Sequence, residues 1–375
     1  MTALTPTPDS DLLYSEQEED LRAAVRSLLA AHLDTPALLA SLEAPAGAHD
    51  ARLWKALAVD MGLAGLLIPQ ELGGAGATHR EAAVVLEELG RTVAPVPFLT
   101  SAVLATQTLL ACDTTRPEVA ALLTGLAEGR RTCALAVALS TSPYAPVRRA
   151  AATGAGLSGT LTSVADGPTA DAWLVPADDG LYLVERDTAG ARMEAMTALD
   201  QTRPLGRLTL DNATGTRLAD AATAEAAIHH GLLTAAGLLA SEQLGLADWC
   251  LTETVAYLKE RRQFARQVGG FQALKHRLAH LWLRLVPARA VARHAADALA
   301  TASPDTAIAV ALAQSCTSEL AVHAAEEALQ LHGGIGMTWE HPVHLYLKRA
   351  KSTHLTLGTP ATHHTALATL VDLPA

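Results

Sequence analysis

The sequence predicts a mainly α-helical protein with a small β domain in the middle of the chain. Half of the 375 residues are apolar and only 3% are aromatic, a composition typical of globular, helix-rich proteins. Apolar residues recur every three or four positions toward both ends, as in amphipathic helices. Between them lie short Val- and Thr-rich runs punctuated by Gly, Pro, Asp and Asn. We therefore expect three domains, at residues 1–130, 131–222 and 223–375.

The N-terminal domain is predicted from a series of amphipathic segments. Ser15 followed by Glu18 has the spacing of a capping box, and it opens a helix predicted over residues 15–42. Further helices are predicted at 51–64, 79–91, 99–111 and 116–128. The glycine-rich stretch at 73–76 is interpreted as a turn, since it is not set between a strand and a helix as in a dinucleotide-binding loop.

The middle domain is predicted to be a small antiparallel sheet, and the C-terminal domain a helical bundle. The strand-like runs are CALAVAL, DAWLVPA, GLYLVERD and GRLTLDNA, and the same interpretation makes Gly154-Ala155-Gly156 a turn. From Thr223 the helical period returns. Helices are predicted at 223–262, 271–301, 304–332 and 342–356, with a last one after Thr359. Four long helices in succession are typical of a bundle.

Charge and composition exclude several classes of function. The net charge of −11 argues against nucleic acid, because phosphate binding needs clustered Lys and Arg. No apolar run reaches the roughly 18–20 residues that span a bilayer, and we expect no secretory signal, because the first residues show neither a basic nor an apolar segment. The four cysteines, Cys112, Cys133, Cys250 and Cys316, are scattered and are interpreted as reduced thiols of a cytoplasmic protein.

No metal site is predicted either. His341 with His344, and His363 with His364, are the histidine pairs considered. Apart from Glu340, no carboxylate or cysteine lies near them in the sequence, and surface histidines are common.

Three C-terminal segments carry more specific information. They are YLKERRQFARQVGGFQALKHRLAHL (257–281), LQLHGGIGMTWEHPVHLYLKRAKS (329–352) and LGT (357–359). With GLLIPQELGGAG and VLEELGR in the first domain, they resemble the acyl-CoA dehydrogenase family over nearly the whole chain. The resemblance implies the family's fold, with a helical domain, an antiparallel β domain and a four-helix bundle. It also implies FAD-dependent α,β-dehydrogenation of an acyl-CoA thioester.

The same resemblance implies a set of cofactor-binding residues. A guanidinium fork can pair two phosphate oxygens, rings can pack on an adenine or ribose, and glycines let the backbone approach a ligand closely. In the family, residues at the matching positions bind the ADP half of FAD across the dimer interface, and one more approaches the flavin of its own subunit. The trans positions here are Arg261, Phe264, Phe271, Gln330, Gly333 and Gly334. The flavin position is Thr359.

Both places where the family carries its catalytic base lack a carboxylate. Most members have Glu immediately before the Gly-Thr that is here Gly358-Thr359, and this chain has Leu357. Other members carry the Glu on the long helix, at the position of Ala235. Neither side chain can accept a proton. Glu242, two turns beyond Ala235, is a fallback base, although a solvent-facing or interface role is the simpler interpretation.

The middle domain also departs from the family pattern. Residues 134–150 lack the Thr-Glu-Pro and Gly-Ser-Asp motifs that hold the flavin and the thioester in family members. The aromatic-Ile-Thr that packs on the flavin is matched only by Thr162-Ser163-Val164, which has no ring. The residues that would serve this chain's own flavin are therefore the ones it has lost.

This pattern resembles the short subunits of actinobacterial α2β2 acyl-CoA dehydrogenases that act on sterol side chains. The resemblance implies a subunit without a base, which completes the FAD site of a homologous partner, with a steroid-CoA substrate and an electron-transfer flavoprotein as acceptor. Two alternatives remain open. One is a self-sufficient homotetramer that uses Glu242 or another residue as base. The other is a structural partner that binds no flavin.

Overall fold

The structure is a computed structural model that describes residues 12–42 and 49–373. Its N-terminal part is helical, as the sequence predicts. The helices are α1 (Glu16–His32), α2 (Thr35–Ser41), α3 (Ala51–Lys55), α4 (His79–Thr92), α5 (Thr106–Leu110) and α6 (Pro117–Ala127), with π-helical turns at Ala56–Asp60 and Phe98–Ala105. The Ser15–Glu18 capping box is confirmed, since each side chain bonds the other's backbone N–H.

One helix in this part differs from the prediction. The single helix predicted over residues 15–42 is two helices, because the chain is extended at Leu33 and Asp34. Pro36 lies in the first turn of α2. Proline has no N–H to donate and disfavours a helical residue before it, so it suits a helix start but not a helix interior.

The middle of the chain forms two four-stranded sheets. The strands are β1 (Cys133–Leu135), β2 (Ala151–Thr153), β3 (Gly156–Ala165), β4 (Ala172–Ala177), β5 (Gly180–Glu185), β6 (Ala191–Met196), β7 (Leu205–Ala213) and β8 (Thr216–Asp220). One sheet has the order β1-β4-β5-β8 and the other β2-β3-β7-β6. Apolar side chains of both sheets share one buried cluster, so the sheets pack face to face. Gly154 and Ala155 form the turn between β2 and β3, as predicted.

The expected purely antiparallel sheet is wrong in one respect. β1 pairs with β4 in parallel, whereas the other pairings are antiparallel. Four strands, β2, β3, β6 and β8, were not among the predicted runs. In β3 the buried residues are interrupted by Gly159, Thr160 and Ser163, and the register with β7 shifts twice, which obscures the alternation that sequence reasoning relies on.

The C-terminal part is helical, with three long helices and two short ones. They are α7 (Ala221–Glu260), α8 (Gln272–Ala300), α9 (Thr306–His332), α10 (Val343–Thr353) and α11 (Pro360–Leu370). A short hairpin separates α7 from α8. Its two strands, β9 (Arg262–Gln263) and β10 (Arg266–Gln267), have two residues each and are antiparallel. The fold class is therefore confirmed: mainly α, with a central β domain. None of the described helices is both long and apolar enough to cross a membrane.

Helix α7 is held tightly against α4 by two glycines. A Cβ on Gly90 would lie 2.1 Å from the Glu242 carbonyl oxygen, and one on Gly245 would lie 1.9 Å from that of Glu87. Side chains larger than hydrogen would force the helices apart at this crossing. The crossing fixes the part of α7 that carries Ala235 and Glu242.

Candidate functional site

The predicted cofactor residues near the end of α7 lie on an exposed hairpin. Arg261 falls inside the helix predicted at 223–262 but is the first residue after α7, where its extended backbone ends the helix. Phe264 and Ala265 form the hairpin tip with φ of +53° and +60°, values that a two-residue turn between right-twisted strands requires. The Phe264 side chain is 86% exposed, so the turn presents a large ring to solvent.

Aromatic and cationic groups meet at this hairpin. The rings of Phe264 and Phe271 are arranged edge to face with centroids 6.2 Å apart. The Arg266 guanidinium lies 3.7 Å from the Phe271 ring centroid, within the range of a cation–π contact. Arg261 and Arg262 are exposed beside it. The hairpin therefore offers ring faces and guanidinium groups together, which suits a nucleotide with phosphates.

The glycine pair at the end of α9 forms an open turn. Gly333 ends the helix with φ of +63° and ψ of −137°, a conformation that is essentially restricted to glycine. A Cβ added at Gly333 or Gly334 would meet no atom within 4 Å. Gln330, in the last turn of α9, is exposed. The turn thus has a bare backbone facing open space, where a ligand can approach closely.

These two segments are joined by a ring contact. The ring of Tyr257, one turn before Arg261, stacks on that of His332, which precedes Gly333, with centroids 4.5 Å apart. The structure therefore brings together the ends of α7 and α9 that carry Arg261, Gln330 and the glycine pair. Phe264 lies at the tip of the hairpin that follows α7, and Phe271 lies at the start of α8.

Thr359, the seventh predicted cofactor residue, lies at the start of α11. Its hydroxyl oxygen accepts a hydrogen bond from the Thr362 amide at 3.2 Å and so caps the helix. It also bonds the Thr362 hydroxyl at 2.9 Å. Thr359 thus has a structural role in this chain whether or not it contacts a flavin.

The two family positions for the base lie in an apolar core. Leu357 is 2% exposed and Ala235 is fully buried, and both belong to one cluster of buried hydrophobic side chains. The Leu357 amide donates to the Leu139 carbonyl at 2.8 Å. The His363 Nε2 donates to the Leu357 carbonyl at 3.1 Å. The backbone of Leu357 is therefore satisfied from both sides, and its side chain packs rather than lining an open site.

The loop that follows β1 packs over Leu357 and connects it to the β domain. Leu139 also donates its amide to the Ser163 carbonyl at 2.9 Å, and Ser163 lies in a β-bulge with φ of +59°. Tyr144 sets its ring against the edge of His363, with centroids 5.4 Å apart. The segment that lacks the flavin-holding motifs thus contacts both the Thr162–Val164 stretch, which has no aromatic ring, and Leu357.

Glu242 is engaged in a buried ion-pair network. Its two carboxylate oxygens accept from Arg203 at 2.7 Å and Arg349 at 2.8 Å, and the residue is 1% exposed. The solvent-facing position considered from the sequence is therefore wrong. Burial alone would raise the pKa of Glu242, but the two guanidinium groups outweigh it and hold this pKa below its usual value. A carboxylate held in this way is a weak proton acceptor.

The histidines converge differently from the pairs considered in the sequence. His341 lies near His332 and Glu253, and one potential ligand atom from each lies within 4.8 Å of the others. Sequence reasoning missed Glu253 and His332 because they are distant along the chain. Their only local signal is position, since Glu253 lies one turn before Tyr257 and His332 directly precedes the glycine pair. His363 is buried and His364 exposed.

Comparison with protein families supports the interpretation of the motifs. The family model "Acyl-CoA dehydrogenase, C-terminal domain" matches residues 224–370, and "Acyl-CoA dehydrogenase, N-terminal domain" matches residues 15–130. The chain is 38% identical over 346 residues to acyl-CoA dehydrogenase IpdE2 of Mycolicibacterium smegmatis, which covers 92% of this chain and 96% of that protein. It is 34% identical over 360 residues to acyl-CoA dehydrogenase FadE27 of Mycobacterium tuberculosis, covering 93% and 95%.

Solved structures share the fold. A chain of the ChsE4–ChsE5 complex from Mycobacterium tuberculosis superimposes with a TM-score of 0.84 at 30% identity, covering 98% of this chain and all of that one. A variant of the steroid acyl-CoA dehydrogenase Tcur3481–Tcur3483 gives 0.83 at 30% identity, covering 95% and 98%. Butyryl-CoA dehydrogenase of Megasphaera elsdenii, at 21% identity, gives 0.84 over 96% and 100%. The chain therefore belongs to the acyl-CoA dehydrogenase family of FAD-dependent oxidoreductases.

Proposed function

We propose that this chain is the subunit without a base in a heteromeric acyl-CoA dehydrogenase, and that it completes the FAD site of a homologous partner. The observation that carries the proposal is the contrast between two sets of residues. Leu357 and Ala235, at the family's base positions, are packed in an apolar core. Arg261, Phe264 and the Gly333–Gly334 turn are exposed at two joined helix ends.

The exposed set fits the ADP half of the cofactor. The open space around the glycine turn is where a phosphate or ribose would meet backbone amides, and Arg261 would pair phosphate oxygens. The ring of Phe264, which is 86% exposed, would gain contact area by packing on a nucleotide or a partner. When bound, FAD supplies the two-electron acceptor for dehydrogenation of the thioester. This chain's own residues bind and orient it.

The proton acceptor would come from the partner subunit. In this chain the one carboxylate considered as a substitute, Glu242, is neutralised by two arginines in the protein interior. Moving it out to a substrate would leave the buried Arg203 guanidinium without this ion-pair partner and Arg349 with Asp200 alone, at a cost of several kcal/mol. A carboxylate supplied in trans avoids that cost, and this is why we favour a heteromer over a self-sufficient homotetramer.

For the substrate we propose a steroid-derived acyl-CoA thioester, and an electron-transfer flavoprotein as the acceptor. The steroid substrate is supported by 30% identity to a protein named a steroid acyl-CoA dehydrogenase. The heteromer is supported by 30% identity to a chain of the ChsE4–ChsE5 complex.

Purification alone and with a partner tests the proposal. We expect the chain alone to be colourless, and co-expression with a homologue encoded nearby to yield a yellow complex that reduces a dye in the presence of acyl-CoA. Arg261→Ala in the complex should lower its FAD content, measured by flavin absorbance per protein. Arg207→Ala, an exposed arginine on β7, serves as the control. A yellow, active chain on its own would refute the proposal, and unchanged FAD content in the Arg261 variant would favour a structural role.

A further inference from the structure

A cluster of metal-ligand side chains lies at the joined ends of α7 and α9. Glu253 is one turn before Tyr257, His332 is the last residue of α9, and His341 stands two residues before α10. One ligand atom from each lies within 4.8 Å of the other two. We propose that these three side chains form a binding site for a divalent transition metal ion of the Zn²⁺ class.

His332 is oriented as a metal ligand would be. It is 2% exposed, and its Nδ1 lies 2.7 Å from the Ala328 carbonyl oxygen. A carbonyl can only accept, so Nδ1 carries the proton and Nε2 keeps its lone pair. Nε2 is buried and has no hydrogen-bond partner. A buried polar atom without a partner lowers stability unless another group binds it. Metal-bound histidines regularly donate their other ring N–H to a backbone carbonyl in this way.

Glu253 supplies the negative charge. It is half-buried, and within the described part of the chain it makes no hydrogen bond or ion pair. A carboxylate withdrawn from water without a counter-ion is unfavourable, and a bound cation would compensate it. Other partly buried carboxylates in this bundle do have cationic partners, as the ion pair between Arg277 and Glu327 shows.

His341 completes the set from the segment that follows the glycine turn. Its ring centroid is 4.4 Å from that of His332, and its Nδ1 accepts a long bond of 3.3 Å from the Val343 amide. The neutral imidazole is the form that coordinates metals.

The ligand chemistry selects the ion. Two imidazole nitrogens and one carboxylate oxygen form a set that Zn²⁺ takes in proteins, with a water in the fourth position. Zn–N and Zn–O distances of about 2.0–2.2 Å place tetrahedral ligands about 3.4 Å apart, so the three groups would close by up to about 1.5 Å. Glu253 and His341 are only half-buried and can move. His332 is held by its bond and by the Tyr257 ring.

Metal binding would join three segments of the chain. The ion would link α7, the end of α9 and the stretch before α10, and so fix the glycine turn at 333–334 against the helix that leads to Arg261. This inference does not depend on the proposed function, because it concerns only this chain's own residues and requires neither flavin nor substrate.

Zinc titration of the full chain tests the site. The protein, in the oligomeric form in which it purifies, is stripped with a chelator, dialysed, and titrated with ZnCl2 at pH 7 by calorimetry. We expect one Zn²⁺ per chain, and Co²⁺ in its place should give the intense visible absorption of a tetrahedral site. His332→Ala, His341→Ala and Glu253→Gln should each weaken the affinity at least about tenfold. His364→Ala, an exposed histidine on α11, should leave it unchanged.

Two outcomes would overturn the inference: no stoichiometric binding, or affinity that His341→Ala and Glu253→Gln leave unaltered, which would mean adventitious surface binding only. Because His332 is buried, its variant is judged only where circular dichroism shows that the metal-free protein is folded. If the His332 variant is not folded, the variants at the half-buried positions, His341→Ala and Glu253→Gln, decide the question.

Discussion

Glu242→Gln separates a structural carboxylate from a catalytic base. The wild-type network pairs Glu242 with Arg203 and Arg349, and Arg349 also pairs with Asp200. All four residues are at most 4% exposed. Glutamine keeps the shape but removes one of two negative charges opposite two positive ones. Breaking a buried ion pair from one side costs about 4 kcal/mol, out of a stability that is typically about 5–15 kcal/mol.

The expected change in melting temperature follows from the size of the chain. An unfolding entropy of about 2.1 cal/mol/K per residue gives about 0.8 kcal/mol/K for a chain of 375 residues. We therefore expect Glu242→Gln to lower Tm by about 5 °C at pH 7. Glu225→Gln is the matched control, since Glu225 pairs with Arg149 at 3.1 Å but is 59% exposed. Surface pairs contribute about 0–1 kcal/mol, so this variant should change Tm by about 1 °C at most.

The pH dependence of the same variant gives a second check. The pKa of Glu242 in the folded protein is below its ordinary value, so the folded state binds this proton less readily than the unfolded state. Its contribution is therefore present at neutral pH and is lost as pH falls below the ordinary glutamate range. The Tm difference between wild type and Glu242→Gln should shrink in that acidic range. If Glu242→Gln left Tm at pH 7 unchanged but abolished dehydrogenase activity, this reasoning would be refuted and Glu242 would be the catalytic base.

Three further changes test other features of the structure. Gly333→Ala should lower stability by about 1–3 kcal/mol through backbone strain. Gly334→Ala should leave Tm unchanged but lower the FAD content of the complex. Equal Tm values for the two variants would contradict the positive φ of Gly333. Thr359→Ala should cost about 1 kcal/mol by thermal denaturation, as loss of a helix cap, and a loss of flavin without a Tm change would contradict that role. Burial lowers the pKa of His363 to about 4, so the unfolded chain binds more protons and stability should fall as pH drops from about 6.5 toward 4. In urea titrations His363→Gln should flatten this slope, and an unaltered slope would contradict the buried neutral ring.

Local sequence signals predicted most of the helices. The capping box at Ser15 and the long helical period from Thr223 each depend on residues within a few turns of one another, which a sequence displays directly. The β domain was harder. The parallel pairing of β1 with β4 and the bulges of β3 depend on contacts between distant strands, which no local pattern encodes.

The candidate site divides in the same way. The segments around Arg261 and Gly333 were identified from linear motifs, but their contact through Tyr257 and His332 was not, since it requires knowing how α7 and α9 pack. The engagement of Glu242 is a similar case. Its partners Arg203 and Arg349 come from the β domain and from α10, so its burial is a tertiary property that the helical periodicity of α7 did not reveal.

The hydrogen bond from Leu357 to Leu139 bears on whether this chain could carry a carboxylate at position 357. A single Leu357→Glu change would restore the family's residue type but would place a carboxylate among the buried apolar side chains around Leu357. The loop at 139–144 would have to be rebuilt at the same time, because it bonds the backbone of Leu357 and sets Tyr144 against His363. We expect each change alone to lower stability, the first because it buries a carboxylate and the second because it removes contacts of Leu357 and His363. Under the proposed function, regaining a base in this chain would therefore require several simultaneous changes, and the subunit would stay dependent on its partner.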